Sequence, residues 1–243
     1  MVPMNDEELR HRLGGPVAAI IVAAGQSRRM GGVDKLFKSV LGKPLLRYSL
    51  EVFNASPLVD EIVLVMSEEN LGRAEKLVHA AKWEKVHTVR VGGERRRDSV
   101  ARGLTALPSE TKWVLVHDGA RPCVTPELIA RGLEAVLESG ASIPVMPVAD
   151  TIKVVDKTGQ VVRTPERSEL WTVQTPQVFS RELLQRAHKA NTEDATDDAA
   201  MVERLGHPVR VFEGAHSNIK VTTPEDLLLA EVLLSAERTK GTA

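Results

Sequence analysis

The stretch Val17-Ala-Ala-Ile-Ile-Val-Ala-Ala-Gly-Gln-Ser-Arg-Arg-Met30, followed shortly by Lys35, decides how the rest of the chain is read. Its opening run, residues 17–22, is apolar throughout rather than alternating, and four of its six residues are β-branched. That is the pattern of a strand buried on both faces. Gly25 follows, and without a Cβ it lets the backbone come close to a ligand. Arg28, Arg29 and Lys35 then place positive charge just beyond the strand's carboxyl end, which is where open α/β sheets bind their ligands. The segment reads as a polyphosphate-binding loop. Its spacing is neither G-x-x-x-x-G-K-[ST] nor G-x-G-x-x-G, so it is not a P-loop and carries no dinucleotide fingerprint.

Outward from this loop, buried-strand patterns recur at 18–23, 61–66, 86–91, 112–117 and 141–145. Helical patterns lie at 44–54, 70–82, 97–107, 126–139 and 181–189. Strands alternating with helices of this length predict βαβ units in a mostly parallel sheet. The expected fold is a Rossmann-like, doubly wound α/β domain spanning 16–236. Residues 1–15, polar and acidic, read as a flexible or capping extension, and 237–243 as a flexible tail.

One region, 147–171, departs from the alternation. Two short β-rich runs, 151–155 and 160–163, flank the turn signal Asp156-Lys-Thr-Gly159, which predicts a hairpin. It is polar on both sides, and an isolated hairpin is marginal in water, so it needs support from elsewhere, such as a second subunit.

Composition sets outer bounds. With 243 residues and a formal net charge of −1, the chain does not resemble a general nucleic-acid or membrane-surface binder. Its positive charge is local, in Arg28-Arg29 and Arg95-Arg96-Arg97. The single cysteine, Cys123, cannot form an internal disulfide. No apolar run is long enough for a membrane span, and the first fifteen residues lack the apolar segment of a signal peptide. The chain reads as soluble and cytoplasmic. The acidic run Glu193-Asp-Ala-Thr-Asp-Asp198 lacks the Gly and distal Glu of a calcium loop. It reads instead as the cap of a helix over 199–205.

Further segments fall in a fixed order: Gly92-Gly-Glu-Arg-Arg-Arg-Asp-Ser-Val100, His117-Asp-Gly-Ala-Arg-Pro122, Asp150-Thr-Ile-Lys153, Gln174-Thr-Pro-Gln177 and Asn218-Ile-Lys-Val-Thr-Thr-Pro-Glu-Asp226. With the opening loop, the set resembles the 2-C-methyl-D-erythritol 4-phosphate cytidylyltransferases, a CTP-using family of sugar nucleotidyltransferases in non-mevalonate isoprenoid synthesis. The resemblance covers 17–234. It implies a nucleotidyltransferase (GT-A-like) fold, Mg²⁺ as cofactor with CTP as substrate, methylerythritol phosphate as acceptor, and a homodimer clasped by exchange of the 147–171 arm.

Such a reaction brings two anions together: a phosphate monoester oxygen attacks the α-phosphorus of CTP as pyrophosphate departs. It needs neutralising charge and an aligned attack more than a protein nucleophile or strong base. The resemblance gives Arg29 and Lys35 the transition-state charge. Family members often carry Pro and Gln beside this lysine, where Asp34 and Leu36 stand here. Ala23, Ala24, Gly25, Gly93, Glu94 and Ser99 are implied in nucleotide binding, with Arg96 in the same loop, and a cytosine's amino and carbonyl groups suit backbone and hydroxyl partners. The family often has Asp in place of Glu94. Arg28, Arg95 and Arg97 read as solvated charges. Asp118 either orients an acceptor hydroxyl or helps to hold Mg²⁺. His117 reads as a satisfied structural histidine. Arg121, Thr151 and Thr175 match acceptor-binding positions, and Arg167 and Lys220 positions that place the methylerythritol phosphate. Lys220 also borders the nucleotide. A related family acting on ribitol 5-phosphate would share the nucleotide site and differ around Arg121, Thr151 and Arg167. A non-catalytic nucleotide-binding regulator would not need both Arg29 and Lys35.

Overall fold

The computed structural model describes residues 4–25, 34–191 and 193–240, with side chains described as far as 237. The opening run forms β1 (Val17–Ala23), preceded by α1 (Asp6–Leu13). Two short strands, β2 (Ser39–Val40) and β3 (Lys43–Pro44), lead into α2 (Leu45–Ala55) and β4 (Glu61–Met66). Then come α3 (Leu71–Ala81), β5 (Val86–Val91), α4 (Arg96–Thr105), β6 (Trp113–Asp118), α5 (Pro126–Ser139) and β7 (Ala141–Pro147). The arm carries β8 (Val154–Val155) and β9 (Val161–Arg163) and returns through β10 (Trp171–Val173). The chain closes with β11 (Gln177–Ser180), α6 (Arg181–Ala190), α7 (Asp198–Glu203), β12 (Arg210–Glu213) and α8 (Pro224–Lys240).

The central sheet runs β10-β7-β11-β6-β1-β4-β5, with β12 on the other edge of β7. β1 pairs in parallel with β4 and β6, and β4 with β5. β11 is antiparallel to both β6 and β7. The sheet is thus parallel from β5 to β6 and mixed beyond β6.

The continuous apolar runs are explained by burial on both faces. Val17, Ala19 and Ile21 join one core with Ile62, Leu64 and Leu115, under Leu9 and Leu13 of α1, Leu50 and Phe53 of α2, and Leu133 of α5. Ala18 and Ile20 join the opposite core with Val63, Val65 and Val116, under Val100 and Leu104 of α4, Leu184 of α6 and Met201 of α7. Period-two alternation is therefore present, but both phases are apolar. A third small cluster holds α8 through Ala230 and Leu234 against Tyr48, Cys123 and Val221.

The connections fix where a ligand can sit. From β1 the chain moves outward through β4 to β5, then crosses by α4, on the opposite face, to β6 on the other side of β1. The strand order reverses between β1 and β6, which makes their carboxyl ends the crevice.

Two boundary expectations are corrected. Over the described residues 4–15 the flexible reading gives way to the capping one. Asn5 caps α1 by accepting from the Glu8 N–H at 2.9 Å, Leu9 and Leu13 are buried, and Arg10 pairs through both of its terminal nitrogens with Asp60. Asp60 also accepts from the Val17 N–H at 2.8 Å, so the helix is tied to the start of β1. At the other end, α8 continues past residue 236 to Lys240.

Candidate active site

Three strand ends make the floor of the crevice: Ala23 from β1, Gly92 just after β5 and Asp118 from β6. Gly92 is dictated by packing, since a Cβ there would lie 2.3 Å from the Ala24 Cβ and 2.7 Å from the Ser99 Oγ. The next residue is held by Ser99, whose Oγ accepts from the Gly93 N–H at 3.1 Å. Above this floor lies a cavity of about 680 Å³, lined by Ala23, Ala24, Gly25, Lys35, Gly93, Glu94, Arg96, Ser99, Asp118 and Lys220, among others. A smaller cavity of about 280 Å³ adjoins it, lined by Arg121, Thr175, Gln177, Thr196 and Asp197 with the same Arg96, Asp118 and Lys220. Those three residues are the partition between the two spaces.

The partition is an ion cluster. Asp118 is 7 % exposed, with Lys220 Nζ at 2.8 Å, Arg96 Nε at 3.3 Å and Arg121 Nε at 3.8 Å. Burial would raise its pKa, but Arg96, Lys220 and Arg121 outweigh that and hold the carboxyl well below the usual range. Three cations face Asp118, and even with Asp198 on the far side of Arg96 at 2.6 Å the cluster keeps a net positive charge. Arg121 is itself buried and donates from Nη1 to the Asn218 carbonyl at 2.7 Å, and burial lowers its pKa. Its Nε has no hydrogen-bond partner.

Lys220 and Lys35 are brought together by the loop before α8. Thr223 and Asp226 form a capping box: the Thr223 hydroxyl accepts from the Asp226 N–H at 3.3 Å and the carboxylate accepts from the Thr223 N–H at 2.8 Å. The Val221 N–H donates to the Ala120 carbonyl at 2.8 Å, and the Val221 carbonyl accepts from Lys35 Nζ at 2.7 Å.

His117 is fully buried beneath the site, as read from the sequence. The Asp118 N–H donates to Thr175 Oγ1 at 3.0 Å, Thr175 Oγ1 lies 3.1 Å from His117 Nδ1, and His117 Nε2 lies 3.2 Å from the Arg121 carbonyl. These distances suit a neutral ring that accepts at Nδ1 and donates from Nε2. Burial pushes its pKa down to about 4. The Thr175 hydroxyl is thus engaged in holding Asp118, although Thr175 lines the smaller cavity.

Most residues picked from the sequence converge here: Ala23, Ala24, Gly25, Lys35, Gly93, Glu94, Ser99, Asp118, Arg121, Thr175 and Lys220 line one cavity or both. Arg29 lies outside the described residues, as does Arg28. Thr151 and Arg167 lie on the arm, exposed, and line neither cavity; Arg167 Nη1 donates to the Ala149 carbonyl at 2.9 Å.

Arg97 corrects the solvated reading. It is 9 % exposed and donates to the His188 and Glu193 carbonyls, each at 3.2 Å, because the α6–α7 connection closes over it. Asp198 was also under-read. Asp197 supplies the helix cap, accepting from the Ala200 N–H at 2.9 Å, while Asp198 is fully buried beside Arg96 Nη1 at 2.6 Å. Gln177, Thr196 and Asp197 were not picked as site residues; only the Gln-Thr-Pro-Gln motif and the acidic run marked them.

Among the described residues no group of three or more His, Cys, Asp or Glu side chains could hold a metal ion. Asp118 remains ionised and has lone pairs beyond those its cations engage. It can therefore give Mg²⁺ one oxygen, provided that phosphates and water supply the rest. Also among the described residues, no helix is long and apolar enough to cross a membrane.

Comparison with known proteins agrees with this geometry. Residues 17–236 match the family described as IspD: 2-C-methyl-D-erythritol 4-phosphate cytidylyltransferase. The chain is 50 % identical over 226 residues to the enzyme of that name from Dehalococcoides mccartyi, covering 93 % of this chain and 99 % of the relative. The crystal structure of 4-diphosphocytidyl-2C-methyl-D-erythritol synthase from Anaerococcus prevotii is similar with a TM-score of 0.81 at 31 % identity, covering 91 % of this chain and 97 % of that one. The Thermus thermophilus 2-C-methyl-D-erythritol 4-phosphate cytidylyltransferase structure is similar at 37 % identity with a TM-score of 0.71, covering 90 % and 98 %.

Proposed function

The chain belongs to the 2-C-methyl-D-erythritol 4-phosphate cytidylyltransferase family, and from that membership we propose how its two cavities carry the reaction. The reaction transfers CMP from CTP to 2-C-methyl-D-erythritol 4-phosphate, giving 4-diphosphocytidyl-2-C-methyl-D-erythritol and pyrophosphate. The larger cavity takes CTP, with the base over Gly93 and the triphosphate toward Lys35. The smaller takes the acceptor, its phosphate beside Arg121 and Lys220. The observation that carries this reading is the shared partition: Arg96, Asp118 and Lys220 border both spaces. A nucleotide's α-phosphorus and an acceptor's phosphate oxygen can meet only where the spaces meet.

The chemistry at that point follows from charge. Two unit charges 4 Å apart interact by about 4 kcal/mol at the effective dielectric near a protein surface, and both reactants carry several. Lys35, Lys220, Arg96 and Arg121, with Arg29, offset that repulsion and the charge that builds on the α-phosphate in the transition state. A phosphate monoester loses its second proton near pH 6, so the attacking oxygen needs no base at neutral pH. His117 is not a candidate base, being buried and engaged at both ring nitrogens. Asp118 would hold Mg²⁺ through one oxygen, and the ion would supply further positive charge at the phosphates.

Thr151 and Arg167 reach an acceptor only in a homodimer with exchanged arms. What supports this is the arm itself, which is not polar on both sides as its sequence suggested. Ile152, Val155, Val161 and Val162 are exposed large apolar residues on or beside a two-stranded hairpin, and Trp171 is exposed where the arm returns to β7. A buried lone thiol, Cys123, pushed up to about 12 by burial, and the lack of any possible internal disulfide suit a reducing cytoplasm. The test is pyrophosphate release with CTP, ATP, GTP and UTP crossed against methylerythritol 4-phosphate and ribitol 5-phosphate. Release is expected with CTP and methylerythritol phosphate. Comparable release with ribitol phosphate would overturn the acceptor assignment.

A further inference from the structure

We propose that Asp198 is a positioning residue: it fixes the Arg96 guanidinium in the partition between the two cavities and so sets the affinity for both substrates without touching either. The inference rests on the assignment of the larger cavity to CTP and the smaller to the acceptor.

Arg96 stands in the first turn of α4 and borders both cavities. A long side chain at a cavity wall is conformationally free unless something holds it. Its contact with Asp118, 3.3 Å from Nε, is long for a charge-assisted hydrogen bond, whereas the 2.6 Å contact from Nη1 to Asp198 is short. Asp198 is the stronger hold, and it lines neither cavity.

A fully buried carboxylate is costly unless it is paired. Capping α7 does not account for one here, because the neighbouring Asp197 already does that. The partners of Asp198 do account for it. One oxygen faces Arg96, and the other lies 3.0 Å from His188 Nε2 on α6. Burial opposes the charge, yet Arg96 and His188 hold the Asp198 carboxyl below the usual range. Arg97 completes the arrangement by donating to the His188 and Glu193 carbonyls, which keeps the α6–α7 connection against α4. The second core thus reaches the reaction centre along one line: α6 to Asp198 to Arg96 to the junction.

The test is a double-mutant cycle on the full-length protein. Asp198→Asn keeps the side chain's shape and removes its charge. CTP binding is measured by calorimetry, and KM for each substrate and kcat by pyrophosphate release, in the wild-type and Arg96→Ala backgrounds. The expected result is a roughly tenfold loss of CTP affinity and a similar rise in acceptor KM in the wild-type background, with less than about a twofold further change once Arg96 is absent. A merely structural carboxylate would lower the melting temperature and leave the affinities of the folded enzyme unchanged, or would act equally in both backgrounds; either outcome overturns the proposal. If Asp198→Asn does not fold, His188→Asn removes only the second partner of Asp198, and unchanged KM values there would also overturn it. Wild-type CTP binding with an equally tight Asp198→Asn variant would sink this inference alone. A wild type that fails to bind CTP would sink the cavity assignment and the inference with it.

Discussion

The crevice and the arm of this molecule are built on opposite principles. The crevice stands on strand ends whose residues are buried on both faces, and its charges are fixed by partners far away in sequence, such as Asp118 with Lys220 and Arg96 with Asp198. The arm consists of two short strands paired only with each other, with Val161, Val162 and Arg163 all exposed. Isolated hairpins of this size are marginal in water, and valines left in solvent gain nothing from burial. The charges of the crevice are held by partners within the chain, whereas the arm, on the function proposed above, is supported by a second copy. The roles given to Lys35 and to Arg167 differ accordingly, although both are basic residues on connecting segments.

Removing charge from the crevice is the most severe way to probe it. Lys35→Ala and Arg29→Ala are each expected to lower kcat about a thousandfold, the scale for losing one transition-state partner in a preorganised site. Rate assays with a thermal melt check this; near-wild-type turnover in both variants would sink the charge-stabilising roles.

Acid probes the layer beneath the crevice. Unfolded imidazole takes up its proton near pH 6.5, whereas native His117 does so only at about 4. The unfolded state therefore binds more protons between those values, and stability should fall by roughly 3 kcal/mol as pH drops through that window. The carboxyls of Asp118 and Asp198, held low when folded, contribute stability above the unfolded carboxylate range and lose it only as pH falls below about 4. Denaturant midpoints against pH should show the two windows separately, and His117→Gln should flatten the upper one.

Perturbing the arm should leave nucleotide binding alone. Val162→Glu is expected to dissociate the proposed dimer on light scattering and to cut turnover about a hundredfold through misplaced acceptor contacts, with CTP affinity unchanged. Loss of CTP affinity would break the contrast between the regions. Least severe, Gly92→Ala places a Cβ against Ala24 and Ser99 and is expected to raise the CTP KM about tenfold through overpacking, leaving the dimer intact.

The parts legible in the sequence were those that local pattern determines. The strands over 61–66 and 86–91 and the helix over 126–139 match the observed bounds residue for residue, because the apolar run of 61–66, the Thr125 cap and the Gly140 stop are local signals. β5, however, is an edge strand with no buried residue, not the buried strand expected, because His87 and Arg90 stand between its valines. α1 was hidden by its acidic first turn, since only Leu9 and Leu13 are buried. β11 and β12 were missed because they are short and their pairing with β6 and β7 is long-range. At the site, the motifs revealed residues near strand ends. The pairing of Arg96 with Asp198 and the burial of Arg97 were not legible, because both depend on where the α6–α7 connection settles.

Mixing two inactive variants tests most directly the claim that each crevice takes its arm residues from a second copy of the chain. Lys35→Ala spoils a crevice and keeps its arm; Arg167→Ala spoils an arm and keeps its crevice. If arms are exchanged, each mixed dimer contains one intact site, and co-refolding equal amounts should restore roughly a quarter of wild-type turnover. Mixed dimers that form but stay as inactive as their parents would contradict a site shared between subunits.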